Sequence, residues 1–128
     1  MDKPHKQLNA WSKGMELVQL VYEATRAFPA TERYGLTGQI RRAAVSIVAN
    51  LAEGSARHYP REYLHFVQIA AGSASELDTL LEVSNRTGLL DQNTWRMLDV
   101  RLAEVDRLLF GLRRYLRRLL PTKKGEDK

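Results

Sequence analysis

From Trp95 to Leu119, apolar residues recur at Trp95, Leu98, Leu102, Val105, Leu109, Leu112, Leu116 and Leu119, alternating steps of three and four without a break. At 100° per residue these steps hold one face of an α-helix, and a strand, with its period of two, has no use for them. A helix with so regular an apolar face needs partners, and three further segments of the chain supply them. Leu8, Trp11, Met15, Val18, Tyr22 and Thr25 form a similar seam, widened by Leu17, Val21 and Phe28. Pro29 ends it, because proline disfavours helix in the residue before it. A second helix has Leu36, Ile40, Ala44, Ile47 and Leu51 as its core side, and a third carries Tyr63, Val67, Ala70, Ala74, Leu77, Leu81 and Ser84. Pro60 suits the first turn of that third helix, Gly88 its C-terminal end, and Asp91 or Asn93 a cap for the fourth. The expected helices are 8–28, 37–57, 60–87 and 92–120, between a flexible stretch at 1–7 and a disordered basic tail at 121–128. Four helices on short links predict an all-α fold, an antiparallel up-down-up-down four-helix bundle.

The second helix is the odd one. From Ala43 to Ala52 it is apolar almost all the way round. Yet Gln39, Arg42, Ser46, Asn50, Glu53 and Arg57 recur along it within an arc of roughly 80°. Local satisfaction would explain the line if Ser46 bonds back to a carbonyl and the rest are solvated. Against that, Ser46 and Asn50 sit among Ala43, Val45, Ile47, Val48, Ala49 and Leu51, and buried polar groups have to be paired. The expected role of the line is an oligomer interface, with the helix lying between its own core and a neighbouring subunit. In the third helix, Ala70-Ala71-Gly72-Ser73-Ala74-Ser75 is unusually small. Gly72 costs about 1 kcal/mol against alanine, so a close helix approach is expected there.

The chain's 128 residues make one domain, with apolar and charged fractions ordinary for a globular protein. Without cysteine, disulfides and thiolate metal sites are excluded. The longest uncharged run, Tyr63 to Ser75, has 13 residues, short of the ~20 that span a bilayer. With no apolar signal segment at the N-terminus, a cytoplasmic location is expected and no membrane partner. The net charge of +5 is unevenly placed. Arg107, Arg113, Arg114, Arg117, Arg118, Lys123 and Lys124 follow one another with no acidic residue between them, while the other 13 basic residues face 15 acidic ones. Basic character is therefore a C-terminal property. It fits a polyanion-facing patch, although cations at a helix end also complement the helix dipole.

The run from Leu8 to Leu90 resembles the four-helix-bundle family of 23S rRNA intervening-sequence proteins, the S23-like proteins. That family is related to the accessory variability-determinant proteins of diversity-generating retroelements. The matching pieces are Trp11, Leu17, Tyr22, Thr25, Phe28-Pro29, Glu32 and Tyr34-Gly35-Leu36. Gln39, Arg42-Ala43-Ala44, Ser46-Ile47, Asn50-Leu51-Ala52-Glu53-Gly54, Glu62-Tyr63, Ile69-Ala70, Gly72-Ser73 and Glu76-Leu77 follow. The resemblance implies a homo-oligomer, a pentameric ring, with an RNA- or DNA-binding role and no known catalysis. It departs from the family at Tyr59, where members often carry a small hydroxyl residue before the third helix.

Other constellations are weaker. Glu62 and His65 make one Glu-x-x-His unit, with His58 a turn earlier, but a di-iron bundle needs two such units and two further glutamates. Gly35-Leu36-Thr37-Gly38 has the GxxG form of KH loops without their mixed α/β context. Helical ribonucleases of the HEPN type place four to six residues between Arg and His, whereas seven residues separate Arg57 from His65 and three separate Arg61 from it. No cofactor, metal site or catalytic set is expected. The expected function is nucleic-acid binding by Arg107, Arg113, Arg114, Arg117, Arg118, Lys123 and Lys124, with Tyr115 stacking on a base. The alternative is a scaffold or accessory subunit for a nucleic-acid enzyme such as a reverse transcriptase, with a protein partner.

Overall fold

The computed structural model describes residues 4–121. Four α-helices account for most of them: α1 (Asn9–Thr25), α2 (Leu36–Ser55), α3 (Pro60–Arg86) and α4 (Gln92–Arg118). There is no strand among the described residues. Of the stretch 1–7 expected to be flexible, Pro4–Gln7 form a 3-10 turn packed on α1 and α2, and residues 1–3 lie outside the described range. Residues 122–128, with Lys123 and Lys124, lie outside the described range.

The helices end where local chemistry stops them. α1 closes three residues earlier than expected, as the Arg26 and Phe28 amides reach back only three residues, to Glu23 and Thr25. Pro60 starts α3 as its fixed φ allows, and Tyr59 supplies no side-chain cap. At the other end Gly88 adopts φ 82, a conformation open to glycine, and the Leu89 and Leu90 amides both reach the Ser84 carbonyl at 3.0 Å. Asp91 caps α4: its carboxylate accepts from the Thr94 amide at 2.8 Å and the Thr94 hydroxyl at 3.0 Å, which holds its pKa below the usual carboxylate value.

Each helix packs on its neighbours in the chain, α4 also packs on α1, and no Cα atoms of the diagonal pairs come within 8 Å of each other. The result is a helical bundle around a core of Leu17, Val21, Ile40, Ile47, Leu51, Val67, Leu77, Leu98, Leu102, Val105 and Leu109. Of the buried polar side chains, Ser84 and Thr25 are paired, while the Thr37 hydroxyl has no hydrogen-bond partner among the described residues. Ser84 donates to the Leu80 carbonyl at 2.8 Å, while Thr25 donates to Val21 and accepts from Arg41 at 2.9 Å.

Two expectations about packing need correcting. The buried face of α1 is Ala10, Gly14, Leu17, Val21 and Thr25; Met15 and Tyr22 of the expected seam are exposed, and Trp11 and Val18 half-buried. The cause is close packing: a Cβ at Gly14 would stand 2.7 Å from Val48 Cγ1, so the smallest row of α1 turns towards α2. The second concerns Gly72, where an added Cβ would meet nothing within 4 Å. The close approach of α2 and α3 is at Gly54, where a Cβ would lie 2.9 Å from Phe66 Cβ and 3.2 Å from the Tyr63 carbonyl oxygen.

Candidate nucleic-acid interface

The arginines of α4 sit where its apolar face leaves room. Leu98, Leu102, Val105, Leu109 and Leu116 are buried, so Arg107, Arg114, Arg117 and Arg118 fall on exposed positions and Arg113 is half-buried at the boundary with α3. Tyr115 is 57% exposed. It stands roughly 160° round the helix from Arg113 and Arg117, so it does not share their face. The aromatic that does is Phe110, which the sequence reading missed. Its ring is 53% exposed, and the guanidinium carbons of Arg113 and Arg114 both lie 5.9 Å from its centroid. The signal was present in the sequence: Phe110 is three residues from Arg107 and Arg113 and four from Arg114, the spacings that share a helix face.

Phe110 lies on one wall of a groove of about 790 Å³ between α3 and α4. Arg107, Arg113 and Asp106 line the same wall, and Gln68, Ala71, Gly72 and Ser75 of α3 line the other. Gly72 thus opens a groove instead of closing a helix contact. Arg113 Nε is buried and has no hydrogen-bond partner among the described residues. Asp106 is held above the usual carboxylate pKa by partial loss of water and by Asp78, with Arg113 pulling the other way. Asp78 is raised by partial loss of water, then by Asp99 and Glu82.

These two shifts carry a pH prediction. Both folded-state values lie above the unfolded ones, so protonation favours the fold. Their contribution is fully present below about pH 4 and is lost as pH rises through the raised values. Asp78→Asn and Asp106→Asn are therefore expected to raise the melting temperature modestly at pH 7 and to make no such difference near pH 4. Thermal melts at both pH values check this, and a lower melting temperature at pH 7 contradicts it.

The polar line of α2 divides into three parts. In the middle, Ser46 Oγ and Ser73 Oγ are 2.7 Å apart, and Asn50 donates its side-chain amide to the Ser46 carbonyl at 2.8 Å and to its hydroxyl at 3.1 Å. This network ties α2 to α3 within one chain, and the sequence showed no sign of Ser73 as the partner. Towards the C-terminus, Arg57 donates to Glu53 at 3.0 Å and lies over the Phe66 ring at 4.9 Å. Gln39 and Arg42 are exposed. Beside the line on α2, Val45 is 39% exposed and Ala49 also faces out, and on α3 Ile69 is 40% exposed. Elsewhere Glu62, His58 and His65 are exposed, and among the described residues no group of three or more His, Asp or Glu is placed to hold a metal ion. No described helix is long and apolar enough to cross a membrane.

Fold and site together define a helical bundle whose last helix carries an arginine-rich end beside an open, aromatic-walled groove. The chain belongs to the 23S rRNA-intervening sequence protein family, whose model matches residues 6–111. The arginines at 113, 114, 117 and 118 lie beyond the matched span. A crystal structure of a protein of unknown function of the S23 ribosomal protein family, from Bacteroides thetaiotaomicron, is similar to this fold: TM-score 0.74, 22% identity, covering 81% of this chain and 97% of that one. No curated protein matches the chain.

Proposed function

We propose that the protein is a non-catalytic, cytoplasmic RNA-binding bundle that works as a homo-oligomer. The observation that carries this reading is the segregation of charge. Arg107, Arg113, Arg114, Arg117 and Arg118 cluster on the last three turns of α4 with no acidic residue among them, and Lys123 and Lys124 continue the run. Arginine suits phosphate because its planar fork makes two parallel hydrogen bonds to one anion. The bundle is read as antiparallel up-down-up-down. Supporting that, Ser46 meets Ser73 whereas the later Gly54 lies against the earlier Tyr63 and Phe66, and Arg41 meets Thr25 whereas the later Val48 lies against the earlier Gly14.

Assembly rests on the outer side of α2. Val45 and Ala49 are exposed one turn apart on it, beside Gln39, Arg42, Glu53 and Arg57, and covering them with a second copy would complete the burial of a helix that is greasy on most sides. A pentameric ring would repeat the basic helix end five times and concentrate its field. Light scattering coupled to size exclusion, with and without RNA, tests assembly and binding together. The expected result is an oligomer whose RNA affinity falls at least about tenfold between roughly 50 and 200 mM salt. A monomer at micromolar concentration overturns the assembly reading, and absence of binding at low salt overturns the RNA reading.

A further inference from the structure

We infer that the groove between α3 and α4 takes one unpaired nucleobase, so that the protein selects single-stranded over duplex RNA. This rests on the RNA-binding reading above and adds a specific subsite to it. Three observations meet in one place. Phe110 is half-exposed, with two guanidinium carbons 5.9 Å from its ring centroid, and stacking on a flat π-face would bury it. The opposite wall is cut back at Gly72, where there is free space for 4 Å around an added Cβ, so a ring has room beside Phe110. Arg107 and Arg113 line the same wall as Phe110, so positive charge for the phosphates of a nucleotide stands beside the ring.

The charges sort the parts of a nucleotide. Asp106 on the groove wall repels a phosphate but accepts from the amino or imino N–H of a base edge, as do the Gln68 carbonyl and the Ser75 hydroxyl. The base therefore goes in. Its phosphates stay at the rim, with Arg107 on one side and Arg114 on the other. Inside a duplex the same base is stacked and paired, with neither of its faces free for Phe110.

The test uses the full chain and a fluorescein-labelled RNA of about twelve nucleotides, single-stranded or annealed to its complement. Phe110→Ala is expected to weaken single-strand binding about tenfold or more while changing duplex binding less than about twofold. Gly72→Leu, which fills the groove from the other wall, is expected to do the same without lowering the melting temperature. Phe110→Trp is expected to retain affinity, and its fluorescence to be quenched by single-stranded RNA but not by inorganic phosphate. If Phe110→Ala and Gly72→Leu both bind single strands within twofold of the unaltered protein, or weaken duplex binding equally, the base subsite is overturned while the electrostatic reading stands. If the unaltered protein binds neither RNA, both fall.

Discussion

Replacing Arg113, Arg114, Arg117 and Arg118 together by glutamate is expected to reduce RNA affinity by more than about a hundredfold at roughly 50 mM salt. Phosphate contacts act by releasing counterions, so their loss also shows in the salt dependence. For four contacts to a single strand, the slope of log affinity against log salt is expected to flatten by about 3. Glutamates at the C-terminal end of α4 also oppose the helix dipole, each costing up to about 1 kcal/mol, so some loss of stability accompanies the reversal. The four-glutamine variant separates the two effects, because it removes the positive charge without adding a negative one. It is expected to keep the melting temperature close to that of the unaltered protein and still to flatten the slope. Fluorescence anisotropy titrations at several salt concentrations, alongside circular dichroism, make the measurement. If the glutamine variant keeps both affinity and slope, the basic end of α4 serves the helix dipole and solvation alone.

The largest effect on stability is expected at Gly54. Its position on α2 faces α3 so closely that an alanine Cβ would lie 2.9 Å from Phe66 Cβ and 3.0 Å from Tyr63 Cδ1. The third neighbour, at 3.2 Å, is the Tyr63 carbonyl, which is backbone and cannot swing aside. Gly54→Leu forces α2 and α3 apart where they pack this tightly, and overpacking of this kind costs about 3 kcal/mol or more. It also strains the Ser46–Ser73 contact two turns away, which holds the same pair of helices together. Gly72→Ala provides the contrast. With nothing within 4 Å of the new Cβ, the gain in helix propensity is expected to stabilise the protein by up to about 1 kcal/mol. Urea denaturation of both variants checks the opposite signs. Equal effects would mean that α2 and α3 do not meet at Gly54.

The elements were legible because each signal is local. The 3-4 spacing, Pro29, Pro60, Gly88 and Asp91 act within a turn or two of themselves, so all four helices and most of their ends could be read in order. The faces were harder. In α1 two adjacent rows are both apolar, and nothing in Trp11, Met15, Val18 and Tyr22 says that Ala10, Gly14, Leu17 and Val21 will win the core. That choice was made by Val48, which needs the space at Gly14. The candidate site shows the same division. The arginines were visible as a run, yet Tyr115 was chosen as their aromatic because it is adjacent in sequence, and adjacency on a helix means 100° of separation. Phe110 shares their face, and the groove it overlooks depends on which α3 residues stand opposite.

By itself, then, the sequence determined four helices, their order and most of their ends, and the concentration of positive charge on the last of them. Periodicity, capping and charge count are properties of one segment at a time. The tertiary structure decided what crosses from one helix to another: Ser46 paired with Ser73, Gly54 set against Tyr63, and Gly72 left opposite Phe110 as open space. The physical reason is that an apolar stripe tells a helix to be buried but does not fix its rotation. Rotation is settled to within one row of side chains by interlocking volumes, and those belong to two helices at once.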